Sequence, residues 1–236
     1  MNKQDYYNAC EKYYTRVKND WGIYNNHSFS INGFRYDKNF KNHICKIIEL
    51  ANLLDNQVIV EAGCGFGENL NAINSKINAN LHGITLCDFH IKNKRFPNIE
   101  YKNFDDLKNN DFLADRILFI ESFSHSFNKA KLLKTAFNML KNNGKIFILD
   151  LSVSNSFYRS LAVNTKARND YKKHKKFYGD KPVSSEYVCY KAFIAGFKNI
   201  EYKENLDNYI INNNTVKNSI IIETIPTFYN HYILTR

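Results

Sequence analysis

Two short segments of this sequence combine residue types and spacings that suit chemistry on a bound ligand. Residues 61–67 read EAGCGFG, an acid followed by glycine at every second position. Glycine has no Cβ, so a ligand can lie directly against the backbone of such a segment. Residues 121–125 read ESFSH and place a carboxylate and an imidazole in one short stretch. Histidine titrates near neutral pH, so His125 is a candidate for proton transfer, although a lone histidine is more often structural.

The glycine spacing and two nearby acids restrict the ligand of residues 61–67. A dinucleotide-binding turn reads G-x-G-x-x-G, whereas here the third glycine comes one position early and Glu68 stands in its place. A pyrophosphate at this turn would also meet the carboxylates of Glu61 and Glu68. A ligand with a cationic or zwitterionic part therefore fits better, and NAD ranks lowest.

Strands and a helix must position both segments. Residues 58–60 are β-formers that run into Glu61, and an apolar stripe at helical spacing covers residues 68–77. Strand, glycine turn and helix together form the nucleotide-cradling unit of a Rossmann-like sheet. Residues 114–122 predict another strand, and His125 follows it at the edge where ligands bind in open α/β sheets.

The remaining pattern predicts an α/β fold with a Rossmann-like, seven-stranded, mostly parallel sheet and helices on both faces. The last strand is expected to run antiparallel at or near the sheet edge. Further strands are expected at residues 81–86, 98–107 (a short strand and a turn), 145–151, 197–202 and 227–234. Further helices are expected at residues 40–55, where His43 is taken to be exposed, at 129–141, stopped by residues 142–144, and at 186–195. We expect one domain over residues 1–236.

Composition favours a globular protein of the cytoplasm. The hydrophobic fraction is 44% and the aromatic fraction 15%, which argues against disorder. No apolar run approaches the length of a membrane span, and the polar N-terminus has no signal-peptide core. The five cysteines are odd in number and form no C-x-x-C. We therefore expect reduced thiols and do not expect a metal site.

The net charge of +10 raises the question of nucleic acid or anionic membranes as partners. The excess lysines are dispersed, except over residues 166–181, and dispersed lysine is usually a solvated surface. Nucleic acid is therefore an unfavoured partner that stays open.

The pattern E-x-G-x-G-x-G at residues 61–67 resembles motif I of the class I S-adenosylmethionine (SAM) methyltransferases. SAM carries an ammonium and a sulfonium, which agrees with the ligand class inferred above. The resemblance implies cofactor contacts for the acid and the three glycines of this motif, which are Glu61, Gly63, Gly65 and Gly67.

The next two strand ends extend the resemblance. Residues 83–90, GITLCDFH, resemble the G-x-T-L-S-x-x-Q of cyclopropane-synthase-like enzymes, with His90 in place of the glutamine. This implies cofactor contacts for Thr85 and His90, with Asp88 as a competing partner of the ribose. After the third strand, the family pattern implies that Asp105 accepts from the adenine amino group and that Phe104 packs on the ring. Asp106 is an adjacent candidate, and a helix N-cap is the alternative role for either acid.

The E-S-x-x-H after the fourth strand resembles that of UbiE-like, amine, sugar and terpenoid methyltransferases. The resemblance implies that His125 is the catalytic base when the acceptor is a hydroxyl or an acidic carbon, with Glu121 orienting it or stabilising a developing cation. For an amine that binds already neutral, His125 only positions the acceptor.

Two further segments are expected to cover the site. Tyr6, Tyr13, Val17 and Trp21 share one face of a predicted N-terminal helix. Residues 1–39 resemble the segment that folds over SAM in several small-molecule methyltransferases, which implies cofactor contacts for Trp21 and Ser28; plain packing is the alternative. Residues 152–185 are basic and aromatic, and in the family this connection forms a cap that determines the acceptor.

These features predict a class I SAM-dependent methyltransferase that acts on the O, N or C atom of a metabolite, natural product or lipid-like small molecule and releases S-adenosylhomocysteine. The [DNS]-P-P-[YFW] motif and a Pro-Cys pair are both missing, which weighs against several nucleic-acid subclasses. An RNA base methyltransferase and a non-catalytic SAM-binding module remain as alternatives. The acceptor and the oligomeric state are left open.

Overall fold

A computed structural model describes residues 2–21, 39–204, 225 and 228–236 of the chain. Within these ranges, the side chains of residues 13–21, 177 and 178 are outside the description. The expected contacts of Ser28 and of the Trp21 side chain therefore lie outside the described residues.

The chain alternates strands and helices. The strands are β1 (Val58–Ala62), β2 (Asn80–Thr85), β3 (Ile99–Tyr101), β4 (Ala114–Ile120), β5 (Leu140–Ser152), β6 (Asn199–Lys203) and β7 (Phe228–Thr235). The helices are α1 (Lys3–Trp21), α2 (Phe40–Ala51), α3 (Glu68–Asn74), α4 (Asp88–Lys92), α5 (Lys129–Met139), α6 (Asn155–Ser160), α7 (Thr165–Tyr178) and α8 (Ser185–Ala195). Short 3-10 turns cover Phe104–Asp106 and Phe123–His125.

All seven strands form one sheet in the order β3-β2-β1-β4-β5-β7-β6. Strands β1 to β5 pair parallel with one another, and β7 pairs antiparallel with both β5 and β6. The predicted fold class is therefore confirmed, with β7 second from the edge and β6 at the edge. The strand order reverses between β1 and β4, and ligands bind in open α/β sheets at such a switch point.

Helices on both faces bury the sheet. In β4, Ile117 and Phe119 face one core with α5 and α8, while Leu118 faces the other with α2 and α3. Burying each of these side chains contributes roughly 1.5–3 kcal/mol. Strand segments covered on both faces are apolar, which is why β4 and β5 contain the continuous hydrophobic runs 117–120 and 146–149. No helix in the described part of the chain has the length and apolar character that crossing a membrane requires.

The expectations for α2 are wrong in two places. His43 was expected to be exposed but is buried, because the inward stripe of α2 begins at His43, next to Ile44, and continues through Ile47. The helix was expected to reach residue 55 but ends at Ala51, and Leu54, beyond its end, is 53% exposed. The C-cap residue Asn52 adopts the left-handed conformation (φ 50°), which turns the chain so that Leu53 is buried instead.

The boundaries after β4 also differ from the expectation. Helix α5 ends at Met139, and residues 142–144, expected to stop a helix, lie within β5 instead. Asn143 adopts φ 61° there, which asparagine tolerates better than most residues. Turn-forming residues are thus accommodated in an irregular strand entry.

Candidate functional site

The ends of β1 and β4 meet at the switch point. Residues Glu61 and Leu118 are paired in the parallel register, and beyond them the Ser122 hydroxyl donates to the Ala62 carbonyl at 2.5 Å. Gly63 lies against Ser122 with φ 85°, and a Cβ on Gly63 would clash with the serine side chain. The glycine segment and the E-S-x-x-H segment are therefore brought together as predicted.

The three glycines of residues 63–67 serve different purposes. A Cβ on Gly67 would lie 2.6 Å from Ile99 Cδ1 and 2.7 Å from Phe96 Cβ, so protein packing excludes side chains there, as it does at Gly63. For Gly65 the nearest described atom to such a Cβ is His90 Cε1, at 4.0 Å. The described residues therefore leave space open beside its backbone, as expected where a ligand approaches.

Glu61 has a buried carboxylate oxygen that the described residues leave without a hydrogen-bond partner. Its Oε1 accepts from Asn69 Nδ2 at 2.8 Å, whereas its Oε2 has no hydrogen-bond partner among the described residues. Burial raises the pKa of Glu61 to about 7, and the Asn69 hydrogen bond offsets part of that rise. Because an unsatisfied buried oxygen is costly, a ligand donor or cation at Oε2 would be stabilised. Glu68, the second acid weighed above, pairs with Arg95, so the argument against an anionic ligand rests on Glu61.

Thr85 and His90 form a buried pair at the end of β2. The Thr85 Oγ1 and His90 Nδ1 atoms are 3.2 Å apart, and the His90 ring lies 4.5 Å from the ring of Phe66 in the glycine segment. Burial lowers the pKa of His90 to about 4, so the ring is neutral near pH 7 and has one donor and one acceptor nitrogen. Asp88, the competing partner of the ribose, is exposed and pairs with Lys92 at 2.5 Å.

Asp105 is buried and already holds several donors. It accepts from the Ser126 hydroxyl and from the Phe127 N–H, each at 2.6 Å, and from the Tyr7 hydroxyl of α1. A carboxylate has about four lone-pair sites, so room remains for one further donor. Sequence reasoning identified Asp105 but missed Tyr7, which no local pattern connects to it.

The two residues next to Asp105 in the chain lie in different environments. Phe104 is buried and packs edge-on against Phe119 at 6.0 Å, and its ring also borders Gly63. Asp106 is exposed and pairs with Lys3. The cap of this short turn is Asn103, whose side chain accepts from the Asp105 N–H, so neither acid is the N-cap.

The E-S-x-x-H segment forms a strained turn. Glu121 adopts φ 54°, which costs a non-glycine residue roughly 1–2 kcal/mol, and its N–H donates to the Leu149 carbonyl at 2.7 Å. The chain then enters the turn Phe123–His125, where His125 Nδ1 lies 2.8 Å from the carbonyl oxygen of Gly179. Gly179 follows α7, so the candidate base contacts the cap.

Two buried ionisable groups beneath this turn were missed by sequence reasoning. Asp150, in β5, accepts from the N–H groups of Ser124 and Leu151 at 2.8 and 2.6 Å. Burial raises its pKa to about 6, while the Ser124 hydrogen bond and attraction to His125 oppose the rise. An acid near the carboxyl end of an apolar strand, as at Glu61, is the signal that could have found it.

Lys129 is the other buried group. Its Nζ donates to the carbonyls of Ser124 and Ser126, both at 3.0 Å. Burial lowers the pKa of Lys129 to about 7, and repulsion from Lys181 adds to this. It thereby supports the turn that carries His125. Nothing in the sequence distinguishes it from a solvent-facing helix lysine.

Helix α1 covers this turn from outside. Tyr6 donates to the Ser124 carbonyl at 3.3 Å and its ring packs 5.7 Å from that of Phe127. Cys10 Sγ lies 2.7 Å from the Gly179 carbonyl oxygen. The N-terminal helix thus contacts both the predicted cofactor edge, through Asp105, and the end of the cap.

The cap consists of α6 and α7. One side of α7 is held by a buried pair, His174 Nε2 and Asp180 Oδ1, which lie 2.7 Å apart. Its exposed side is basic and presents Lys166, Arg168, Lys172, Lys173 and Lys176.

Comparison with known proteins agrees with this arrangement. A protein-family model described as "Methyltransferase domain" matches residues 36–181. No curated protein matches the sequence.

Solved structures show the same fold at low sequence identity. The cyclopropane synthase MmaA2 from Mycobacterium tuberculosis is 14% identical, with a TM-score of 0.63 over 89% of this chain and 90% of that one. Geranyl diphosphate C-methyltransferase from Streptomyces coelicolor, solved with Mg2+, geranyl diphosphate and S-adenosyl-L-homocysteine, is 11% identical, with a TM-score of 0.68 over 100% of both chains. The [4+2]-cyclase SpnF is 10% identical, with a TM-score of 0.72 over 96% of this chain and 94% of that one. At these identities the likeness concerns the fold alone.

Proposed function

This chain belongs to the methyltransferase-domain family, and from that premise we propose that it transfers a methyl group from SAM to a small-molecule acceptor. The observation that carries the proposal is the buried Oε2 of Glu61, which has no hydrogen-bond partner among the described residues. Gly65 of the same segment adds a backbone at which the nearest described atom to a Cβ would be 4.0 Å away. A buried carboxylate oxygen and a Cβ-free backbone suit a ligand that brings both a cation and a close-fitting body.

The residues at the strand ends fit SAM in a consistent order. Glu61 and the glycine segment would hold its amino-acid part, and Thr85 with neutral His90 would bind the ribose hydroxyls. Phe104 would border the adenine, and the remaining acceptor site of Asp105 would take its amino group. Trp21 and Ser28 are proposed to complete this site from the N-terminal segment. When bound, SAM supplies a methyl group activated by the sulfonium.

The protein's own contribution is to align the acceptor and keep water out, which is the main source of rate in a displacement of this kind. For a hydroxyl or acidic carbon, His125 takes the proton that the acceptor loses, and Glu121 orients it or stabilises positive charge. For an amine that binds already neutral, His125 positions the nitrogen. The acceptor is proposed to be a metabolite, natural product or lipid-like molecule, methylated on O, N or C.

The chain is proposed to act as one domain over residues 1–236. Residues 1–39 would form a lid, supported by the contacts of Tyr6, Tyr7 and Cys10 with the site. Residues 152–185 would form the cap that selects the acceptor, supported by the contact between Gly179 and His125.

Two experiments test the proposal. Titration calorimetry should give SAM and S-adenosylhomocysteine binding at one site, and no binding of either would refute it. Protein purified with its native ligand, analysed by mass spectrometry, should carry a small molecule whose mass increases by one methyl group on incubation with SAM.

The alternatives predict different results. Methylation of bulk RNA, with binding that weakens steeply with salt, would favour an RNA methyltransferase, for which the basic face of α7 is the supporting observation. Binding of SAM without turnover on any acceptor would favour a non-catalytic module. The same fold also occurs with another activity, since SpnF, which is similar in fold, is described as a [4+2]-cyclase.

A further inference from the structure

Three hydrogen bonds join the end of the cap to the turn that carries His125. Lys181 donates from its N–H to the Ser124 carbonyl and from its Nζ to the Phe127 carbonyl, both at 2.8 Å. His125 Nδ1 lies 2.8 Å from the Gly179 oxygen. Residues 179–181 and 123–127 therefore form one bonded unit.

The partner of His125 determines where its proton lies. A carbonyl oxygen only accepts hydrogen bonds, so Nδ1 must be the protonated nitrogen, and the lone pair of the neutral ring is then on Nε2. We propose that the Gly179 carbonyl is the positioning group of His125, which selects this tautomer and ring orientation only while the cap is docked. The inference deepens the proposed function and rests on it for the role of His125 as base.

The conformation of Gly179 explains how the carbonyl is held. It ends α7 with φ 66°, a backbone conformation that favours glycine. A Cβ on Gly179 would lie 2.7 Å from Cys10 Cα and 2.9 Å from Cys10 N. The backbone of α1 therefore packs directly on Gly179, and the Cys10 thiol reaches the same carbonyl oxygen at 2.7 Å.

The next residue anchors the cap from the other side. Asp180 is buried and lies 2.7 Å from His174 Nε2 on α7. With Gly179 packed on α1 and Asp180 paired to α7, the carbonyl has little freedom to move away. When the cap undocks, water replaces the carbonyl and both tautomers of His125 form. Lid, cap and base would thus be coupled through one backbone oxygen.

The direct test is the tautomer of His125, measured by 15N NMR of the imidazole at a pH where the ring is neutral. The signal is assigned by its loss in His125→Ala. Wild-type protein should show a protonated Nδ1 and an unprotonated Nε2. In Gly179→Ala the added methyl group must push α1 from the cap, so the two tautomers should mix and kcat, measured at saturating SAM, should fall about tenfold or more.

Gly196→Ala is the matched control. Gly196 ends α8 in the same way, at φ 113°, and a Cβ there would meet the Phe137 ring at 3.0 Å, but it takes no part in the cap. It should lose stability and keep the wild-type His125 spectrum. Cys10→Ala removes the thiol without adding bulk and should also keep that spectrum.

A wild-type spectrum with the proton on Nε2 would overturn the inference, whether or not Gly179→Ala folds. So would a folded Gly179→Ala with unchanged spectrum and unchanged kcat. Because the tautomer is measured without methyl transfer, the two proposals fail separately. The expected spectrum in a protein that methylates nothing would refute the proposed function and leave the positioning role of Gly179 standing.

Discussion

Tyr7 of the N-terminal helix donates its hydroxyl to the carboxylate of Asp105, the residue expected to bind the adenine of the cofactor. Both residues are buried, and 98 positions separate them in the chain. Burial raises the pKa of Tyr7 well above its usual value, and the hydrogen bond and charge of Asp105 add to this, so the phenol stays a donor at physiological pH. If Asp105 binds adenine as proposed, docking of the N-terminal helix and cofactor binding would share one carboxylate.

Replacing Tyr7 by phenylalanine should loosen the N-terminal helix. The variant loses a hydrogen bond to a buried carboxylate, which costs about 1–3 kcal/mol of stability. Amides of α1 should exchange faster with solvent, which hydrogen-exchange mass spectrometry would detect. Tyr101→Phe is the control, because Tyr101 is 56% exposed and should tolerate the change. Unchanged protection of α1 in Tyr7→Phe would show that Asp105 does not hold the lid.

Gly65→Val should abolish SAM binding. The new Cβ and its two methyl groups would project into the space that borders this backbone, where His90 Cε1 is the nearest described atom. Calorimetry should show no heat of SAM binding, while circular dichroism shows a folded protein. Val at φ 56° is strained, so Gly196→Ala, with strain of the same kind at another site, serves as the control and should bind SAM normally. Unchanged affinity in Gly65→Val would refute the cofactor site.

Glu61 should make the ligand-free protein less stable as the pH rises. Its folded pKa, about 7, is above the ordinary value of 4.5, so the folded state holds the proton more tightly than the unfolded state. Its contribution to stability is then fully present below pH 4.5 and is lost as the pH rises to about 7. The loss is on the order of 3 kcal/mol.

Glu61→Gln tests this directly. The amide keeps the shape and removes the titration, so the variant should be more stable than wild type at pH 8 without ligand and should bind SAM weakly. Asp150 titrates with the same sign in both proteins, so the difference between their stability curves isolates Glu61. Identical pH dependence of chemical denaturation in the two proteins would contradict the assignment.

The sequence was sufficient to predict the elements that local patterns determine. Apolar runs and helical stripes predicted the succession of strands and helices along the chain, and the glycine segment with the E-S-x-x-H predicted a candidate site at the carboxyl ends of the strands. His43 was assigned to the wrong environment because a stripe read as starting at Ile44 extends one position further in α2. A polar residue at the edge of an apolar stripe is exposed or buried according to the elements that pack against it. Hydrophobic periodicity carries no information about those elements.

The contacts that complete the site were beyond local reasoning. Tyr7 with Asp105 and Gly179 with His125 join residues far apart in the chain, and only the packed fold brings them together. Lys129 resembles any helix lysine until the turn above it supplies carbonyl acceptors. Such side-chain pairings follow from the tertiary structure, and a single sequence carries no separate signal for them.

Substitutions on the basic face of α7 should distinguish a small-molecule methyltransferase from an RNA methyltransferase. For a small-molecule enzyme, Lys172→Gln with Lys173→Gln should reduce retention on heparin but leave methyl transfer to the native acceptor unchanged, because both lysines are exposed and solvated. Retention as a function of salt and a radiolabelled-methyl assay measure the two effects. Loss of methyl transfer to RNA in this variant would instead support the RNA alternative.

His125→Ala should separate chemistry from cofactor binding. The residue follows β4 and is bonded to the cap, while the glycine segment follows β1 and Thr85 ends β2. If it removes the acceptor's proton, turnover should fall by about 10²–10⁴-fold, the usual contribution of a general base, with SAM affinity nearly unchanged. His82→Ala is the control. His82 lies on β2, where its ring packs against Phe112 rather than on the turn Phe123–His125. Equal loss of turnover and SAM affinity would make His125 a cofactor contact, and full turnover would restrict it to a structural role.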